Sequence, residues 1–160
     1  HDQTRRQRQM CIRDSICRAQ KENMVYITRR ERFNAAHMLW NYNWNEQKNI
    51  EVFGKCANKN WHGHNFELFV TVKGEVNTKT GFVVNLKDLA KIIQEKVIDK
   101  LDHKNLNLDV DFMKDKMAST EVLAIAIWQE LEANIMQLGA TLHCIKVQET
   151  ENNFVEYFGK

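Results

Sequence analysis

The chain has 160 residues, enough for one domain with its own core, and 43% of them are hydrophobic and 28% charged. A net charge of +2 gives no electrostatic case for nucleic-acid binding, and no apolar run approaches the length of a membrane span. Four cysteines (11, 17, 56 and 144) stand at unrelated spacings with no CxxC pair, which argues against a disulfide scaffold or a cysteine-built zinc site and fits a reducing, cytoplasmic compartment.

Residues 1–23 are rich in Arg and Gln and show no sustained apolar period, so they read as a disordered or non-native extension ahead of a single domain over 24–160. From Met24 to Phe33 the pattern is that of a strand, and Asn34-Ala35-Ala36 leads from it to His37. Residues 38–55, rich in Asn and aromatics, read as a long loop, a kind of segment that often carries function. A strand is predicted from about His62 to Lys73, ending at Gly74. The run Asn77-Thr78-Lys79-Thr80-Gly81 reads as a turn, with Phe82-Val83-Val84 opening the returning strand of a hairpin.

Beyond Asn85 the period changes. Leu86, Leu89, Ala90, Ile93, Val97 and Leu101 recur at three and four, which predicts a helix to Leu101 with Asn85 as its N-cap. A second helix opens at Ser119-Thr120-Glu121, buries Leu123, Ile127, Leu131, Ile135 and Leu138, and meets its stop at Gly139. Strands over Thr141–Thr150 and Phe154–Phe158, joined by Glu151-Asn152-Asn153, close the chain. Helices grouped between β-hairpins predict an α+β domain with an antiparallel sheet and both helices on one face. The open edges of so small a sheet predict an oligomer that joins sheets edge to edge.

The chemistry-bearing stretch is Cys56-Ala57-Asn58-Lys59-Asn60-Trp61-His62-Gly63-His64. The alternation Phe66, Leu68, Val70, Val72 continues backwards onto His62 and His64, so both imidazoles point to the buried side and can reach one ion. Two strand histidines without a metal are the plain alternative. Gly63 leaves the opposite side empty, which allows another backbone to approach. Cys56 is either a small buried hydrophobe or a thiol whose anion a nearby cation stabilises. Cys144 alternates within a strand and reads as packing. Glu149 ends a largely apolar strand face with Ile145 and Val147, where a carboxylate needs partners.

Taken together, His37, the Cys56 to His64 stretch, Leu101-Asp102-His103-Lys104-Asn105-Leu106, Ser119-Thr120-Glu121 and Glu149-Thr150-Glu151-Asn152-Asn153 occur in an order that resembles the 6-pyruvoyl-tetrahydropterin synthase family, over roughly residues 25–160. The resemblance implies a T-fold: a four-stranded antiparallel sheet backed by two helices, with trimers closing into a barrel and pairing into a homohexamer. It implies zinc (Zn2+) on His37, His62 and His64, Cys56 as proton-abstracting thiol, Asp102 and His103 as an acid–base pair, and Glu149 as pterin anchor and part of a proton relay. Thr120 and Ser119 match positions at the pterin pocket, although Ser119-Thr120-Glu121 also reads as plain helix capping. Asp102 and His103 likewise read as a helix end, where a cationic imidazole interacts well with the dipole.

The implied reaction converts 7,8-dihydroneopterin triphosphate to 6-pyruvoyl-tetrahydropterin with loss of triphosphate, a step of tetrahydrobiopterin biosynthesis. It needs no nicotinamide or flavin. Arg30, Arg32, Lys55 and Lys59 are candidates to meet the triphosphate on position alone, with a solvated basic face as the plain alternative for each. Departures from the family pattern are Trp61 directly before His62, Asn34 and Ala36 near His37, and the absence of proline. The nearest rival is the 6-carboxy-tetrahydropterin synthase of queuosine biosynthesis, whose members typically place three residues between the cysteine and His-Gly-His; five stand there in this chain. A rival of another class is a non-catalytic zinc- or pterin-binding module, which would have no use for Cys56, Asp102 and His103.

Overall fold

The computed structural model describes residues 24–160, and the extension expected over 1–23 lies outside the described residues. The sheet has five strands in the order β3-β1-β2-β4-β5. Strand β1 (Met24–His37) pairs antiparallel with β2 (His62–Glu75) along its whole length, from Met24 opposite Glu75 to His37 opposite His62. On its other side β2 pairs antiparallel with β4 (Thr141–Gln148), with a bulge between Thr71 and Val72, and β4 pairs antiparallel with β5 (Phe154–Tyr157).

The four antiparallel strands are those expected, except that β1 runs four residues past Phe33 and carries His37 within the strand, because residues 34–37 pair with residues 62–65. The fifth, β3 (Lys104–Asn105), was not expected: two residues that run parallel to Ala35 and Ala36 at the edge. So short a segment leaves no periodic trace in a sequence.

Three other expectations are corrected. Residues 38–55 are not all loop, because they contain helix α1 (Glu46–Phe53), followed by a 3₁₀ turn over Gly54–Ala57. Asn45 caps α1 by accepting from the Lys48 N–H at 2.8 Å. The only residue that α1 buries is Asn49, so no apolar stripe betrays it. Phe82-Val83-Val84 forms no returning strand, because β4 already occupies the free side of β2. That segment instead turns back so that Val83 packs over Gly74, where a Cβ would lie 2.6 Å from Val83 Cγ1. The strand expected to reach Thr150 ends at Gln148, where the Glu149 N–H turns to the Asn153 carbonyl at 3.1 Å.

The helix expected over 85–101 is present as α2: α-helical over Leu86–Ile93, π-helical over Gln94–Ile98, and α-helical again over Asp99–Leu101. Asn85 caps it through the Lys87 N–H, as expected. Helix α3 (Thr120–Gln137) is capped by Ser119 and ends before Gly139, whose φ of 83° suits a residue without a Cβ. The stripes of α2 (Leu89, Ile93, Val97, Leu101) and α3 (Leu123, Ile127, Leu131, Ile135) share one core with Phe33, Phe66, Leu68, Val70 and Val72 of the sheet. Each buried Leu, Ile, Val or Phe contributes roughly 1.5–3 kcal/mol, so this face carries the stability of the domain. Among the described residues, no helix is long and apolar enough to cross a membrane.

Candidate metal centre and active site

Three register pairs build the site. Phe33 faces Phe66, Ala35 faces His64, and His37 faces His62. All six lie on the inner face, because alternate residues of a strand point the same way. The two strands therefore run from a stacked Phe33–Phe66 pair, with centroids 5.0 Å apart, into a cluster of three imidazoles. Gly63 sits between the two β2 histidines with its empty side against β1, and a Cβ there would lie 3.1 Å from the Ala35 carbonyl oxygen. The close backbone approach expected of Gly63 is thus the β1–β2 pairing itself.

The ligand atoms of His37, His62 and His64 lie within 4.8 Å of one another. His37 is the deepest, at 2% exposure. Its Nδ1–H donates to the Ala118 carbonyl at 2.7 Å, which fixes the tautomer and leaves Nε2 as the free lone pair. That Nε2 and the His62 Nδ1 are buried without a hydrogen-bond partner. Burial pushes all three imidazoles below their ordinary value, so they are neutral at pH 7, and Glu149 opposes the shift in each. Neutral imidazoles with unpaired, converging nitrogens form a site that could hold a metal ion.

Around this cluster, His37, Cys56, Ser119, Thr120, Glu121 and Glu149 line one cavity of about 360 Å³. Glu149 leans inwards from the end of β4. Its Oε1 lies 3.5 Å from His37 Nε2 and 3.7 Å from His64 Nε2, and it accepts from the Thr120 hydroxyl at 3.0 Å. Ser119 also lines the cavity, while its own hydroxyl accepts from the Val122 N–H at 3.4 Å as the cap of α3. Capping and pocket placement therefore coincide in this pair of residues. Cys144 is buried in β4, as read from its alternation.

Asp102 and His103 lie elsewhere on the chain. They pair directly, His103 Nδ1 to Asp102 Oδ2 at 2.9 Å, which their adjacency in sequence did not guarantee. Asp102 Oδ1 also accepts from the Asn34 N–H at 2.8 Å, and that bond, ahead of the His103 contact, holds its carboxyl below the usual value. His103 is exposed, with a φ of 58°, and lines a second hollow that borders His64, Asn34 and Asn105. Within one chain, Cys56 and His103 line different cavities.

Several features escaped sequence reasoning. Asn153, Phe154 and Val155 line the Cys56 cavity because the β4–β5 turn folds over it, and no local pattern announces that. Trp61 adopts a φ of 66°, a conformation uncommon for so bulky a residue, at the turn that delivers His62. Of the basic residues expected to meet a triphosphate, Arg30 and Arg32 pair with Glu67 and Lys59 pairs with Glu46.

An antiparallel sheet with two helices on one face, and three histidines that could hold a metal ion beside a thiol and a carboxylate, define the class as an α+β domain with a candidate metal site. The chain belongs to the 6-pyruvoyl tetrahydropterin synthase family, whose model matches residues 26–160. A Homo sapiens protein called 6-pyruvoyl tetrahydrobiopterin synthase is 42% identical over 134 residues, which cover 84% of this chain and 91% of the relative. The solved structure of Caenorhabditis elegans 6-pyruvoyl tetrahydropterin synthase superposes with a TM-score of 0.80 at 35% identity, covering 86% of this chain and 96% of that one. A Bacillus subtilis protein called 6-carboxy-5,6,7,8-tetrahydropterin synthase is 30% identical over 112 residues, 67% of this chain and 73% of the relative. The T-fold expected from the motifs is the fold observed.

Proposed function

We propose that this chain is a zinc-dependent lyase that converts 7,8-dihydroneopterin triphosphate to 6-pyruvoyl-tetrahydropterin, releasing triphosphate. The observation that carries the reading is the common cavity of Cys56, Thr120 and Glu149 beside the His37, His62 and His64 nitrogens. Three neutral histidines with no thiolate among them suit zinc in a catalytic setting, since they leave a coordination position open. When bound, the metal polarises the oxygens of the substrate side chain and acidifies the adjacent C–H.

The protein's own groups do the rest. Glu149 accepts the adjacent N–H donors of the pterin ring in a fork, and the Thr120 hydroxyl holds the carboxylate in place. Cys56, on the rim of the same cavity, takes a proton from the side chain as its thiolate. His103 keeps Nε2 for proton transfer while Asp102 orients its other nitrogen. That Cys56 and His103 line different cavities of one chain supports a reading in which the dyad serves a neighbouring copy's thiol, in a homohexamer of two trimers. The outer edges of β1 over residues 24–33 and of β5 are the pairing edges for that assembly. The cytoplasm is the compartment that suits the free thiol.

Higher identity to the pyruvoyl-type relative than to the carboxy-type one, and the five residues between Cys56 and His62, favour the pyruvoyl product. The test is to incubate the zinc-loaded chain with 7,8-dihydroneopterin triphosphate and identify the pterin by mass. A 6-pyruvoyl product with free triphosphate is expected, and a 6-carboxy product would move the chain to the other branch. Cys56→Ala is expected to abolish turnover while zinc and pterin binding persist. Loss of binding together with turnover would make Cys56 structural.

A further inference from the structure

Glu149 stands closer to the histidines than a ring anchor requires. In a tetrahedral zinc site with bonds of about 2.0–2.1 Å, neighbouring ligand atoms are about 3.3–3.4 Å apart. Glu149 Oε1 is 3.5 Å from His37 Nε2 and 3.7 Å from His64 Nε2, close to the edge length of that tetrahedron. His37 Nε2 has no hydrogen-bond partner, so the approach is not a hydrogen bond to a protonated ring. The imidazole's other nitrogen donates to Ala118, which leaves a lone pair facing a carboxylate oxygen. Two lone-pair donors side by side in a half-buried site repel each other unless a cation sits between them.

We propose that Glu149 is a fourth ligand of the metal in the substrate-free protein, and that a pterin draws the carboxylate off the metal as it binds. Thr120 is the positioning residue. Its hydroxyl donates to the same oxygen, Oε1, at 3.0 Å, and holds it on the histidine side of the cavity. A carboxylate oxygen has lone pairs for a hydroxyl and a metal at once. Ring recognition and opening of the metal are thereby coupled through one side chain. The coordination position is vacated when the anchor turns to the pterin N–H groups. The proposal rests on the reading of the three histidines as a metal site and of Glu149 as the ring anchor.

The test uses the full chain loaded with Co2+, whose visible absorption reports coordination, with azide as a small anion that occupies open positions. The wild type is expected to resist azide where Glu149→Gln responds. Glu149→Gln is also expected to bind Co2+ on the order of 10- to 100-fold more weakly. Thr120→Val keeps the carboxylate but loses its hydroxyl partner, and is expected to fall between the two. It carries the comparison if circular dichroism shows Glu149→Gln unfolded. Pterin lacking a 6-substituent, added alone, is expected to move the wild-type spectrum towards that of Glu149→Gln. Superimposed azide titrations of wild type and variants would overturn Glu149 as a resting ligand. A wild-type spectrum untouched by bound pterin would overturn the exchange. Failure of the wild type to give a tetrahedral cobalt spectrum would instead strike the metal reading itself.

Discussion

Replacing Asn49 by Ala tests how the connection from β1 to Cys56 is held. Asn49 is fully buried although α1 has no apolar stripe. Its Oδ1 accepts from the Asn41 N–H at 2.7 Å, and its Nδ2 donates to the carbonyls of Asn41 (3.0 Å), Asn45 (3.0 Å) and Trp44 (3.3 Å). The Nδ2 group has two hydrogens, so its three contacts count as two net bonds and Asn49 makes three in all; at about 0.5–1.5 kcal/mol each they sum to roughly 1.5–4.5 kcal/mol. The Asn41 carbonyl keeps a second donor, the Trp44 N–H at 3.1 Å, but the Asn41 N–H is stranded. A loss of about 3 kcal/mol is the central expectation. With no apolar face of its own, α1 opens locally and not with the whole domain. Amide exchange in residues 49–53 is therefore expected to accelerate on the order of 100-fold, while exchange in β2 stays as it was. Turnover falls as well, because the Cys56 carbonyl is tied to the Leu39 N–H at 2.9 Å and moves with this connection. Unchanged exchange in residues 49–53, or acceleration spread evenly over β2 and α3, would refute the argument.

Other consequences are equally specific. Phe66→Ala removes a ring at 1% exposure that stacks on Phe33 and touches the edges of His37 and His64, and is expected to cost about 3–5 kcal/mol by urea denaturation. Gly63→Ala sets a methyl 3.1 Å from the Ala35 carbonyl oxygen, where β1 and β2 pair beside the three histidines. Backbone cannot yield as a side chain can, so a loss of about 1–3 kcal/mol is expected together with weaker metal binding, read by chelator competition. In the metal-free protein, His37, His62 and His64 are held below their ordinary value of 6.5, chiefly by burial. The unfolded chain then binds more protons than the folded one below about pH 6.5, so stability is complete above that pH and declines beneath it. Urea midpoints at pH 7.5 and 5.5 that coincide would contradict this. The lowered carboxyl of Asp102 acts in a separate window, below its ordinary 3.8, where stability is lost as pH falls.

Local rules read much of this protein from its residues. The alternation through Phe66, Leu68, Val70 and Val72 placed His62 and His64 on the buried face, because side-chain direction in a strand depends only on the parity of the position. The α3 stripe and its boundaries at Ser119 and Gly139 were legible because capping and the 3.6-residue period act over a few neighbours. Helix α1 was not legible, since it is organised by one buried amide and not by an apolar face. The short β3 carries too few residues for any period to register.

What only the tertiary structure decided is which distant residues meet. His37 joins the pair because β1 and β2 close in a register that sets it opposite His62 across a long connection, and nothing within either strand specifies that pairing. The approach of Glu149 to His37, the hydroxyl of Thr120 beneath it, and the placement of His103 in another hollow follow from β4 packing beside β2 and from α3 starting where it does. Residue types and spacing determined by themselves what chemistry was present. Long-range contacts, which depend on packing the whole core at once, decided where that chemistry converges and which part of it lies in the other hollow.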